Sequence, residues 1–382
     1  MHYLLTNANL ILPDVLLSGG WVAVEDGVIC AIGGPDDRLP HTAQRFDVDG
    51  KFLLPGIVDL HCDMIEKMTQ PRPGVEIAPG IALHATDRLL LGCGVTSELH
   101  SLSLDDDEFG PRSDRFVSDF LARLSRERHC GARHLLHARV EVSSERGVPA
   151  LRAIIDNPLL RLVSIMDHSP GQGQYTSEAA FRTYVARSTG RGDAEIDAIL
   201  ARKRALQQGA PTRIAQVIAL AAAYGIPLAS HDDDTPAKVA AWADQGVGIS
   251  EFPTTLAAAK AAHQAGMAVG MGAPNLLRGR SSGGNLSALT AIEAGVVDWL
   301  CADYYPAALL PSAFMLAERG ILSLPAAVAL ITRNPAHAIG MGQQIGSIAV
   351  GLSADLLLVE PTPDPVVRQV FVAGRPVLTL NY

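Results

Sequence analysis

The sequence predicts an α/β protein: a (β/α)8 TIM-type barrel with a small β-sandwich domain formed from both chain ends. Three observations point there. Short apolar runs alternate with helical stretches through the middle of the 382-residue chain. A polar or charged residue closes most of those runs, as expected where barrel strands converge on one mouth. Both termini are instead rich in short strand-like runs joined by Asp-Gly and Gly-Gly turns. An open doubly wound sheet is the competing architecture, and it accounts less well for the polar strand ends.

Taken in order, residues 1–54 read YLLTNANLILP, GGWVAVEDGVICAIGG and QRFDVDGKFLLPG. Residues 340–382 have the same character, in QQIGSIAVGLSADLLLVEP and VRQVFVAGRPVLTL. Together they make the composite small domain. Residues 55–339 make the barrel. Its strands are expected in IVDLHCD, GVTSELHSL, HLLHARVEV, LVSIMDHS, IPLASHDDD, GVGISEFP, MAVGMGAPN and VVDWLCADYY. The gap near 169–226 is too long for an ordinary connection. It begins polar and Gly-rich and continues with helical periodicity, which predicts a lid over the mouth.

Composition excludes several classes. The net charge of −9 argues against nucleic-acid and membrane-surface partners. A local Arg cluster or a metal still leaves room for an anionic small molecule. The five cysteines are scattered without a CxxC pair, so reduced thiols are expected. No apolar stretch approaches the roughly 20 residues of a spanning helix. No signal peptide is visible, and a cytoplasmic homo-oligomer is expected.

The chemistry centres on LPGIVDLHCDMIE. In a strand, residues two apart share a face, so His61 and Asp63 point one way and Cys62 the other. Glu141, His168, His231 and Asp303 close the third, fourth, fifth and eighth strands. Each alone could be a hydrogen-bonded core residue. Jointly they are ligands for one or two divalent ions, Zn2+ first and Mn2+ second. Glu141 could bridge two ions. Asp303 could ligate one and take a proton from activated water.

Other acidic positions are supporting. Glu251 could orient a ligand. Among Asp232, Asp233 and Asp234, one is expected to cap the helix at Thr235-Pro236, and Asp232 is a candidate orienter of His231. Glu98 and His100 alternate on the second strand and could face the mouth. His84, His129, His134, His137, His263 and His337 are expected to be structural or on helix surfaces. Lys67, Arg72, Arg278 and Arg280 lie in QPRPGVE, NLLRGRSSGGN or nearby, and could clamp phosphate oxygens. A solvated Gly/Arg loop is the alternative.

With those residues in hand, the β-rich ends, PGIVDLH, the strand-end histidines and Asp303 resemble the amidohydrolase superfamily over essentially the whole chain. DLHCDMIEK with PRPGV, SIMDHSPGQGQY, SHDDDT, EFPTT, GMGAPNLLRG and ADYYPAALL are similar to one family within it. That family is the metal-dependent diphosphatase of the carbon–phosphorus lyase pathway, acting on α-D-ribose 1-methylphosphonate 5-triphosphate. The resemblance implies release of diphosphate by a metal-activated water, and adds Asn275 and Tyr304 to the substrate-binding candidates. The sequence departs from the family at Met64, Met68 and Ser282, where histidines are usual. Those departures bear on the substrate more than on the metal set. Two further readings remain open: a C–N-opening amidohydrolase acting on an amide, cyclic amide or imine, and a non-catalytic relative.

Overall fold

The computed structural model describes the chain except residues 1, 42–43, 73, 106–113, 128, 168–177, 191, 282, 362–363 and 382. In chain order the strands are β1 (His2–Ile11), β2 (Leu16–Glu25), β3 (Val28–Gly33), β4 (Gln44–Asp47), β5 (Phe52–Pro55), β6 (Ile57–Cys62), β7 (Val95–Leu104) and β8 (Arg133–Glu141). There follow β9 (Leu160–Met166), β10 (Leu228–His231), β11 (Ile249–Glu251), β12 (Ala268–Gly272), β13 (Trp299–Cys301), β14 (Leu356–Glu360), β15 (Val366–Val372) and β16 (Arg375–Thr379).

Both termini supply one eight-stranded sheet, in the order β16-β15-β14-β5-β1-β2-β3, with β4 also on β1. Asp26 and Gly27 join β2 to β3, both with positive φ, the two-residue hairpin turn that Asp-Gly favours. The sheet is tied to the barrel at Asp355, whose carboxylate accepts from Arg133 Nη1 at the foot of β8, 2.8 Å away.

β6 to β13 form the second eight-stranded sheet, in sequence order and parallel throughout. Asp303 N–H donates to His61 O and Asp63 N–H to Asp303 O, at 2.8 and 2.7 Å, which brings the last strand against the first. The interior is filled by Val58, Leu60, Leu99, Leu135, Leu162 and Trp299 with their neighbours. Gly270 makes room for Trp299: a Cβ there would lie 2.1 Å from the indole.

That inward set fixes the facing of β7. Leu99 is inside, so Glu98 and His100 point outward, not into the mouth as expected. His100 Nε2 lies 2.8 Å from His134 Nδ1, and His134 Nε2 lies 3.0 Å from Asp87 Oδ1 on the surrounding helix Pro79–Gly92. On β6, Asp59 pairs with Glu98 but Cys62 pairs with His100, so β6 carries an extra residue. This bulge lets His61 follow Leu60 into the interior while Cys62 turns outward, into the apolar cluster that includes Leu90 and Leu91.

Of the expected lid near 169–226, residues 169–177 and 191 lie outside the described residues. The remainder forms helices Glu178–Thr189, Asp193–Gln207 and Ala210–Tyr224. No helix among the described residues is long and apolar enough to cross a membrane.

Candidate metal centre at the barrel mouth

Strand ends deliver the site. His61 is the last residue but one of β6, His231 and Glu251 end β10 and β11, and one ligand atom from each lies within 4.8 Å of the others. All three are nearly or fully buried. His61 Nδ1 stands 3.2 Å from Glu251 Oε1, which leaves Nε2 facing Asp63, 3.8 Å from its Oδ1. Asp232 Oδ2 lies 3.2 Å from His231 Nδ1. Phe252 packs edge-on to His61, with ring centroids 5.0 Å apart, and also touches His231.

The backbone is strained here. Asp232, Phe252 and Asp303 all have φ near +55°, at 56°, 54° and 57°, just past the ends of β10, β11 and β13. Non-glycine residues hold that conformation only where surrounding contacts impose it, and such residues cluster at active sites. Asp303 closes the group across Gly272, whose added Cβ would lie 3.6 Å from Asp303 Oδ2.

The electrostatics follow from burial and charge crowding. Burial and then Asp63 push the Asp303 carboxyl up to about 6. Burial would raise Glu251 too, but His137 and His61 hold it down to about 2. Burial opposes the charge on His231, yet Asp232 prevails and its pKa is raised. Burial lowers His137 to about 3, and its ring is held by Leu60 O and Ser164 Oγ at 3.0 and 2.9 Å.

The remaining candidates divide. Asp63 lies at the mouth, where Arg139 Nη1 donates to its Oδ1 at 2.6 Å. Glu141 ends β8 and accepts from Ser143 N–H and Oγ at 3.1 and 2.5 Å. Lys203, from the helix Asp193–Gln207, in turn donates to Ser143 Oγ at 3.0 Å. His168 and Ser282 lie outside the described residues. Lys67 Nζ sits 5.0 Å over the Tyr304 ring, and Arg278 Nη1 reaches Tyr304 Oη at 3.4 Å, so three substrate candidates meet at the residue that follows Asp303 in sequence. Arg72 and Arg280 are exposed. Asn275 is occupied with backbone: its Nδ2 donates to Leu286 O and its Oδ1 accepts from Ala288 N–H. Met64 and Met68 pack against apolar clusters.

The cap at Thr235-Pro236 is Thr235 itself, whose Oγ1 accepts from Lys238 N–H, and not one of the preceding aspartates. Asp233 instead accepts from Ser230 Oγ and Ser250 Oγ. Sequence reading also passed over Arg139. The signal was available: His137, Arg139 and Glu141 alternate along one strand and therefore share its inward face.

Comparison with known proteins shows the family. The family model described as amidohydrolase family matches residues 176–377. The alpha-D-ribose 1-methylphosphonate 5-triphosphate diphosphatase of Escherichia coli (strain K12) is 36% identical over 362 residues, covering 93% of this chain and 94% of that protein. The chain belongs to the amidohydrolase family and, within it, to the family of that diphosphatase. A dihydroorotase of Mycobacterium tuberculosis is 47% identical over 60 residues, 16% of this chain and 12% of that protein. Among solved structures, a 5-methylcytosine deaminase from Klebsiella pneumoniae superposes with a TM-score of 0.67 at 15% identity, covering 99% of this chain and 98% of that one, a likeness of fold. Family membership makes the chain a hydrolase.

Proposed function

We propose that the chain is a metal-dependent hydrolase releasing diphosphate from a ribose 5-triphosphate, either α-D-ribose 1-methylphosphonate 5-triphosphate or a related phosphorylated compound. The observation that carries this reading is the cationic group beside the metal centre: Lys67 and Arg278 meet on Tyr304, the residue after Asp303. A polyphosphate needs such a clamp, and a neutral amide does not. The whole-length likeness to the diphosphatase supports it.

The donor types suit a divalent ion. The buried imidazoles of His61 and His231 and the Glu251 carboxylate each offer an atom within 4.8 Å of the others, a chemistry suited to Zn2+ and, second, Mn2+. His61, Asp63, His231 and Asp303 would hold it, with His168 and Glu141 as further candidates. When bound, the ion supplies Lewis-acid activation of water and phosphoryl oxygen. Glu251 and Asp232 stand 3.2 Å from Nδ1 of His61 and His231 and would orient the two imidazoles that hold the ion. The Asp303 carboxylate accepts the proton of the attacking water. Lys67 and Arg278 hold the leaving diphosphate. The helices within 178–224 act as a lid, consistent with the anchoring of Lys203 beside Glu141.

A second reading, hydrolysis of a cyclic amide, has the short dihydroorotase likeness in its favour. Phosphorus-31 NMR separates the two. The purified, metal-loaded chain is given a ribose 5-triphosphate and, separately, a panel of cyclic amides. Diphosphate release is expected, and Asp303→Asn should slow it by about 10²–10⁴-fold with the fold retained. Turnover confined to the amides would overturn the proposal.

A further inference from the structure

We infer that Arg139 occupies the place of a second metal ion, so that the mouth holds one divalent cation per chain. This rests on the metal-dependent reading above and goes beyond it.

Arg139 lies on β8 between His137 and Glu141, and its side chain is only 8% exposed although it carries a charge that proteins cannot remove. Such a cation survives burial only among carboxylates. Asp63 is in contact at 2.6 Å, and the charges of Glu66, Glu251 and Asp303 all act on the guanidinium in the same sense.

Asp63 Oδ1 is the telling atom. It stands 3.8 Å from His61 Nε2 and 2.6 Å from Arg139 Nη1. This oxygen therefore lies near the imidazole that would hold an ion and is already in contact with a fixed positive group. A second divalent ion shared through Asp63 would have to sit against that guanidinium, repelled by it and competing for the same oxygen. Arg139 also keeps a donor that the fold does not consume: its Nε is buried without a hydrogen-bond partner among the described residues. A planar guanidinium suits phosphoryl oxygens, so it can neutralise substrate charge as a second ion would.

Metal counting tests this independently of turnover. The full-length chain is stripped with chelator and dialysed against excess Zn2+, and in a parallel sample Mn2+. It is then gel-filtered and measured by inductively coupled plasma mass spectrometry. One equivalent is expected in the wild-type chain and in Arg139→Lys, which keeps the charge. Arg139→Met and Arg139→Gln, each first shown folded by circular dichroism, should take up a second equivalent. Two equivalents in the wild-type chain would overturn the inference, and so would a folded charge-removing variant that stays at one. No bound metal in the wild-type chain would overturn the metal reading itself, and this inference with it.

Discussion

His100, on the outward face of β7, gives the clearest pH signature of any single residue away from the mouth. Asp87 can only accept, so His134 Nε2–H donates to it, and His134 Nδ1 then accepts from His100 Nε2–H. His100 is consequently a neutral donor, packed edge-on to Phe120. Burial, and then His134, lower its pKa well below the ordinary 6.5. The sign follows: in the unfolded chain His100 binds a proton as pH falls through about 6.5, whereas the folded chain refuses it. Stability is full above that pH and declines below it, by up to about 1.4 kcal/mol per pH unit for this one group. Urea midpoints at pH 7.5 and 5.5 should therefore fall for the wild-type chain. His100→Gln keeps a donor but has no proton to gain, so its midpoint should fall measurably less. An equal fall in both would contradict the assignment.

At the scale of the element, the strand ends were largely legible and the facing of the second strand was not. His61, His231 and Asp303 were readable because barrel strands deliver their last residues to one place. The alternation rule also set His61 and Cys62 on opposite faces, although a bulge on β6 produces that outcome. Glu98 and His100 were unreadable because β7 is buried on both sides, so polarity gives no clue to which face is inward. Arg139 was missed because its partners Asp63, Glu251 and Asp303 come from distant stretches of sequence, although its alternation with His137 and Glu141 marked its face. The seventh strand offers a paired test of how the interior positions the site. Gly270→Ala would place a Cβ 2.1 Å from Trp299 Cζ2. The indole is fully enclosed and rigid, so the cost should be about 1–3 kcal/mol in urea unfolding. Gly272→Ala, two residues on, meets only ordinary contacts with Asp303 and Phe252 at 3.6–3.7 Å. Its stability should change by less than about 1 kcal/mol. If the two variants unfold alike, the interior is not packed around Trp299 as described.

Across the whole molecule, the mouth concentrates like charge that the barrel alone does not balance. Asp63, Glu251 and Asp303 converge there, and Arg139 supplies one fixed positive charge within the group. The elevated Asp303, at about 6, is the residue of that imbalance. A divalent ion would relieve it, and because the ligand set comes from strands at both ends of the barrel sequence, the relief is felt globally. β6 and β13 are joined at the mouth by short backbone contacts between His61, Asp63 and Asp303, so the ion would sit on the seam that closes the barrel. An ion that binds only the folded state stabilises it by RT ln(1 + [L]/Kd), about 2.7 kcal/mol at a hundredfold excess over Kd. Chelation should accordingly abolish turnover and also lower the thermal midpoint, with Zn2+ or Mn2+ restoring both. The same titration on Asp303→Asn should show a smaller thermal shift, since one donor at the seam is lost. An unchanged midpoint on chelation of a chain shown to contain metal would place the ion away from the seam, and would remove the physical basis for assigning it to these strand ends.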